Sequence, residues 1–343
     1  MSTDWNAHSR ECGGLLDLLF HSNVLECYPQ SILWTTITFY SFEKHNAFEF
    51  MTLRISAGDL ERVLFAIEHV VETGSNSEGE FSAVISRRSR GIPKALCQEF
   101  IRATRILVTP SRPSIGKFVV ITGVDKAGKE TQAFNPENRP GILSVYDYLI
   151  GKSFRVLKLA LPSYNTVFGS LIASYLGKNN SLIVIVGNLS KDIAWVLWSI
   201  DRTQHNTRVQ KWLGGNAKNI VLSKRWTETN IAYQKSLGID EKRILKFERN
   251  IAKADYTIVL DVPVKFVFGR MKTSGEIPDR YETPEFLSKV SDTYANLELF
   301  YPYGKIFHVD GSGSFEEVNK RILKTLSNIK LDYPVQMVSQ EPC

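Results

Sequence analysis

Residues 118–132, FVVITGVDKAGKETQ, constrain the fold of this chain more than any other segment. An apolar, β-branched run from Phe118 to Thr122 enters a loop with glycines at 123 and 128 and a lysine at 129. Such a run reads as a buried strand, and such a loop lets backbone N–H groups wrap a polyphosphate while the lysine adds a point charge. The spacing therefore predicts a nucleoside triphosphate as ligand. It also predicts an α/β fold, a parallel sheet with helices on both faces and the loop at the C-terminal end of its first strand. Gly123, Ala127, Gly128, Lys129, Glu130 and Thr131 are the candidate phosphate contacts. One position departs from the pattern. The residue after the lysine is ordinarily Ser or Thr, whose hydroxyl holds Mg²⁺. Here it is Glu130, with Thr131 one place later. Glu130 and Thr131 are thus the candidate metal ligands. A carboxylate can ligate Mg²⁺ directly, or repel the β-phosphate if the metal is displaced. The plain alternative is a tight strand–turn with no ligand.

A chain of 343 residues, 43% of them hydrophobic, can bury a large core. No stretch reaches the roughly 18 uncharged apolar residues of a membrane span. The opening MSTDWNAHSREC lacks a basic-then-apolar pattern, which argues against secretion. Cys12, Cys27, Cys97 and Cys343 show no CxxC spacing, which argues against a zinc site or disulfide framework and fits a reducing cytoplasm. The net charge of +6 suits an anionic ligand, nucleotide and nucleic acid alike. The short basic run from Ser86 to Arg90 reads more naturally as a solvated turn than as a nucleic-acid patch.

Four zones are expected. Residues 1–50 are rich in aromatics without clear punctuation, and read as an extension that need not be well ordered. Residues 51–115 read as a small α/β region: a helix over Ala57–Thr73, a strand over Phe81–Ser86 and a helix over Pro93–Ile106, closed by a linker at 109–114. Residues 116–330 alternate strand and helix, with strands at Phe118–Thr122, Arg155–Ala160, Asn219–Ser223, Tyr256–Asp261 and Lys305–Val309. Asn135-Pro136 and Arg139-Pro-Gly141 interrupt the helix after the loop before an apolar pattern resumes at Ile142. Residues 331–343 form a tail.

Further blocks follow the loop in order: LPSYNTVFGSLIASYLG (161–177), DIAWVLWSIDRTQH (192–205), VLSKRWTETNIAYQ (221–234), ADYTIVLDVP (254–263) and PDRYETPEFLSKVSDTY (278–294). With the loop they resemble the thymidylate kinase family of P-loop phosphotransferases over about residues 117–327. The resemblance implies roles for particular residues. Pro162 and Tyr164 help to position a nucleoside monophosphate. Trp198 stacks on the base and Arg202 contacts it, and on a helix these i and i+4 positions share a face. The alternative for Trp198 is a core position beside Trp195 and Leu197. Arg225 contacts the acceptor phosphate, and Tyr233 lies against the deoxyribose. Asp125 and Lys126 are the acidic and basic loop residues near the transferring phosphate, so Lys129, Asp125, Lys126 and Arg225 form the candidate catalytic set. Arg270, Lys272 and Arg280 bracket a lid that excludes water from the phosphates. A second departure is Lys224, where the family carries an aspartate.

The resemblance implies a nucleoside monophosphate kinase that converts ATP and dTMP to ADP and dTDP in the cytoplasm, with ATP and Mg²⁺ as cofactors. It implies neither a membrane nor a nucleic-acid partner, and leaves room for a homodimer. The alternative, motivated by Glu130 and Lys224, is a non-catalytic nucleotide-binding protein of the same fold that acts through its N-terminal region.

Overall fold

The computed structural model of the protein describes residues 53–74, 77–178, 181–274 and 279–331, and of 270–274 the backbone only. The expected extension at 1–50, most of the tail and the centre of the lid lie outside the described residues. The first elements are strand β1 (Leu53–Ser56) and helices α1 (Ala57–Thr73), α2 (Glu78–Arg88) and α3 (Lys94–Val108). Strand β2 (Lys117–Gly123), α4 (Lys129–Phe134), α5 (Val145–Gly151), β3 (Arg155–Ala160), α6 (Val167–Tyr175), β4 (Ile183–Val186), α7 (Lys191–Ala194) and α8 (Val196–Gly215) follow. The chain continues through β5 (Asn219–Lys224), α9 (Thr227–Ser236), α10 (Glu241–Phe247), β6 (Tyr256–Asp261), α11 (Val264–Ser274), α12 (Pro284–Ala295), β7 (Lys305–Asp310) and α13 (Phe315–Ser327).

Five strands form one parallel sheet in the order β3-β5-β2-β6-β7. All seven residues of β2 are buried, as are the first five of β5 and of β6. A parallel strand covered by helices on both faces needs apolar side chains on both, which is why these segments read as unbroken apolar runs. The edge strands β3 and β7 bury fewer residues. The five expected strands are all present, each within a residue of its expected ends. β2 sits at the point where the chain turns from one side of the sheet to the other, with β5 on one flank and β6 on the other. A crevice opens there at the carboxyl ends of the strands.

One expectation is corrected. Phe81–Ser86 is not a strand but part of helix α2, whose buried residues are Phe81 and Ile85, four apart. A six-residue apolar run does not distinguish the two periods. Glu78 and Glu80 in the first turn and Arg87 and Arg88 in the last suit the helix dipole. The pairing of β1 with β4 into a separate two-stranded parallel sheet was also not anticipated.

Helices α1–α3 pack directly on helices that flank the main sheet. Phe100 of α3 stacks on Phe168 of α6 at 5.5 Å. Glu68 of α1 holds Arg243 of α10, with one contact at 2.7 Å. Glu61 accepts the Ser190 N–H at 2.6 Å. The expected linker is tied down as well, since Ser111 Oγ donates to the Asn250 carbonyl at 2.6 Å. Among the described residues no helix is long and apolar enough to cross a membrane.

Candidate active site

The carboxyl ends of β2, β3 and β5, together with α8 and α9, enclose a cavity of about 790 Å³. The phosphate-type loop forms one wall. Gly123 leaves β2 at φ +137°, and a Cβ there would lie 2.7 Å from the Leu260 carbonyl oxygen. Gly128 has φ +87° and would bring a Cβ to 3.1 Å from the Phe315 ring. Both positions therefore need glycine, for backbone conformation and for space. Lys129 opens α4 and is buried, and its Nζ donates to the carbonyls of Gly123 at 3.0 Å and Val124 at 2.5 Å. Burial, and then the ammonium groups of Lys224 and Lys126, push the Lys129 amine down to about 7.

Asp125 joins the loop to the opposite wall. It forms an ion pair with Arg225 and accepts from the Tyr233 hydroxyl at 2.6 Å. Arg225 has φ +68°, a left-handed conformation that costs a non-glycine residue roughly 1–2 kcal/mol. Its N–H bond to the Ile121 carbonyl at 3.0 Å and its pairing with Asp125 hold it there. Four elements thus converge on one point: the loop after β2, the end of β5, helix α9 and, through the Leu161 carbonyl 3.4 Å from Arg225 Nη1, the turn after β3.

The far wall is aromatic. Trp195 is fully buried, while Trp198 is only partly buried and lines the cavity with Tyr164, Tyr233 and Tyr281. Trp198 packs edge-on against Tyr175 at 5.6 Å and lies 5.9 Å from Tyr281. Pro162 follows a cis peptide bond and lines the same space. Asp201 supports this turn by accepting the Ser163 N–H at 3.1 Å. Burial raises its carboxyl to about 6 despite that hydrogen bond.

Arg202 lines the cavity but is 3% exposed and forms an ion pair with the fully buried Glu248, its Nε lying 3.1 Å from Oε2. Glu248 also accepts from Ser199 at 2.6 Å, Thr227 at 2.7 Å and Asn230 at 3.0 Å. Burial alone would raise the Glu248 carboxyl, but the Arg202 charge and these donors leave it below its ordinary value. The Nε–Nη2 edge of the guanidinium is thereby fixed. Asn230 directs its amide nitrogen at Glu248, so its oxygen faces away, and that Oδ1 has no partner among the described residues. Gln234 Oε1 is likewise without one, and both residues line the cavity. The wall thus holds a buried guanidinium and, beneath its surface, two amide oxygens without a partner among the described residues.

The structure gathers Asp125, Lys126, Gly128, Lys129, Glu130, Pro162, Tyr164, Trp198, Arg202, Arg225 and Tyr233 around one cavity. Gly123, Ala127 and Thr131 lie in the loop and helix behind it and do not line it. Arg270 and Lys272 fall on α11, but their side chains lie outside the described residues. Arg280 packs its guanidinium 4.1 Å from the Tyr175 ring instead of lining the cavity. Sequence reading missed Glu248, Asn230, Gln234 and Tyr281. Tyr281 and Gln234 stand inside blocks that carried the resemblance; nothing in the sequence points to Glu248.

The residues expected to hold Mg²⁺ do not fit a metal site. The Glu130 carboxylate forms an ion pair with Lys224, the last residue of β5, and Thr131 does not line the cavity.

A sequence profile of the family described as thymidylate kinase matches residues 121–322, more than half of the chain. The chain belongs to the thymidylate kinase family. A thymidylate kinase of Plasmodium falciparum is 25% identical over 63% of this chain and 92% of its own length. A protein of Methanocaldococcus jannaschii described as a "probable thymidylate kinase" is 30% identical over 62% of this chain and 96% of its own. A solved thymidylate kinase from Candida albicans superposes with a TM-score of 0.48 at 21% identity, covering 65% of this chain and 96% of the other. Members of the thymidylate kinase family are phosphotransferases that use ATP. The profile match begins at residue 121, so α1–α3 lie outside it.

Proposed function

We propose that this thymidylate kinase family member transfers the γ-phosphoryl group of ATP to dTMP. The observation that carries this reading is the single cavity in which the glycine loop with Lys129 faces Trp198, Arg202, Arg225 and Tyr233. On this reading the loop amides and Lys129 take the triphosphate, and Arg225 takes the acceptor phosphate. Trp198 stacks on the base. Arg202, which lines the cavity, supplies donors for a carbonyl of the base. An acceptor phosphate is already anionic, so no general base is required, and catalysis is positioning plus charge stabilisation. On this reading Glu130 and Thr131 hold no Mg²⁺, because the Glu130 carboxylate is paired with Lys224. That same pair favours a second reading, a nucleotide-binding protein of this fold without turnover. A screen of all nucleoside monophosphates with ATP separates the two. Preferential ADP formation with dTMP is expected; binding of dTMP and ATP without turnover would favour the second reading.

The base clamp gives one prediction. Trp198→Ala should weaken dTMP binding by about 1–3 kcal/mol, the scale of base–aromatic stacking, and leave ATP affinity nearly unchanged. Calorimetric titration of both nucleotides checks this. A collapse of stability with unchanged dTMP affinity in the folded fraction would make Trp198 a core residue only.

A second prediction concerns pH. The Lys129 amine is depressed from 10.5 to about 7 in the folded protein. A depressed folded value means that its contribution to stability is full above the unfolded value and is lost as pH falls through the folded one. A bound polyphosphate raises that value again, so ATP binding should take up as much as one proton between about pH 7 and 9. The dissociation constant should then rise by up to about tenfold per pH unit across that window. Calorimetry in buffers of different ionisation enthalpy measures the proton count; no proton uptake would mean that Lys129 does not meet the phosphates.

A further inference from the structure

The two departures from the family pattern, Glu130 and Lys224, lie 94 positions apart in sequence and meet in space. Strand register brings them together: Lys224 ends β5 opposite Ile121 of β2, two residues before the loop begins at Gly123. Glu130 stands in the first turn of α4, next to Lys129. In P-loop proteins generally, a divalent cation is held by the hydroxyl after the loop lysine and by a carboxylate on a neighbouring strand. Both positions are replaced here in a reciprocal way. A carboxylate stands where the hydroxyl belongs, and an ammonium stands at the end of the strand beside β2.

Three further observations bear on what this pair does. Lys224 is not a surface lysine that happens to reach an acid. Its side chain is 18% exposed against 48% for Glu130, and both line the cavity with Lys129. Burial lowers the Lys224 amine from its ordinary value, and its ammonium pairs with the Glu130 carboxylate. The Lys224 ammonium is also the largest charged influence on Lys129. Two ammonium groups directed at one cavity repel each other, and an anion between them relieves that repulsion.

We propose that Lys224, oriented by Glu130, takes the place of the divalent cation at the phosphate loop, so that the protein binds a nucleoside polyphosphate in its metal-free form. The proposal rests on the reading of the loop as a triphosphate site, and its test keeps the two apart. ATP is titrated into the wild-type full-length protein by calorimetry, once with excess EDTA and once with saturating Mg²⁺. Affinity in EDTA is expected to equal or exceed that in Mg²⁺. Binding at least about tenfold weaker in EDTA than in Mg²⁺ would overturn the proposal while leaving the triphosphate site in place. Absence of ATP binding under both conditions would sink the site and the proposal together. The reciprocal variant, Glu130→Ser with Lys224→Asp, should reverse the preference, losing about tenfold or more in EDTA and regaining it with Mg²⁺. A folded variant whose ATP affinity stays indifferent to metal would overturn the proposal from the other side. The wild-type comparison decides the matter if the variant does not fold.

Discussion

Lys129→Ala is expected to reduce turnover of ATP and dTMP by about a hundredfold or more, the scale of losing a well-placed electrostatic donor at a developing charge. The structure makes this residue sensitive for two reasons. Its ammonium is buried and held by the carbonyls of Gly123 and Val124, so it is already positioned and carries little water. Burial, and then Lys224 and Lys126, depress its amine, so an anion gains more from it than from a solvated lysine. Steady-state kinetics with circular dichroism as the folding control checks the prediction. Near-normal turnover in a folded variant would remove the loop from the mechanism.

The second large effect is on stability. Glu248→Ala should destabilise the protein by about 3–5 kcal/mol, because it strands the Arg202 guanidinium as a buried charge and leaves Ser199, Thr227 and Asn230 without their shared acceptor. Removing both charges, as in Arg202→Met with Glu248→Leu, should cost less than Glu248→Ala alone, since no uncompensated charge remains. Denaturant unfolding of the three proteins measures this. A double variant less stable than the single one would assign the effect to packing and not to charge. The Glu248 carboxyl sits below its ordinary value of 4.5, so its contribution to stability is present above that value and is lost as pH falls below it. The gap between wild type and Glu248→Gln should accordingly narrow in acid. In dTMP titrations Glu248→Gln should weaken binding through Arg202, which it orients from outside the cavity.

Much of the site was legible because it is built from short contiguous patterns. The strand into Gly123, the glycine spacing and Lys129 belong to one fifteen-residue stretch whose local conformation follows from β-branched residues and glycine. Trp198 and Arg202 lie one helical turn apart on α8, so their shared face was readable from the 3.6-residue period. The five strands of the main sheet were readable for the same reason, as buried parallel strands are apolar throughout. Where the local pattern was too short, as at Phe81–Ser86, the period was misread and packing of Phe81 and Ile85 decided for helix.

The sequence by itself determined the family, the parallel sheet and most of the residues that line the cavity, since each of these follows from near neighbours along the chain. Only the tertiary structure decided how those residues are partnered. Arg202 reads as a base contact in the sequence, and the fold adds that Glu248, 46 residues on, holds it. Glu130 and Lys224 read as two separate departures, one touching metal and one touching the acceptor. The register of β5 against β2 turns them into one ion pair at the mouth of the loop. Charge pairing depends on distance in space, and nothing in a local pattern sets the distance between residues 94 positions apart.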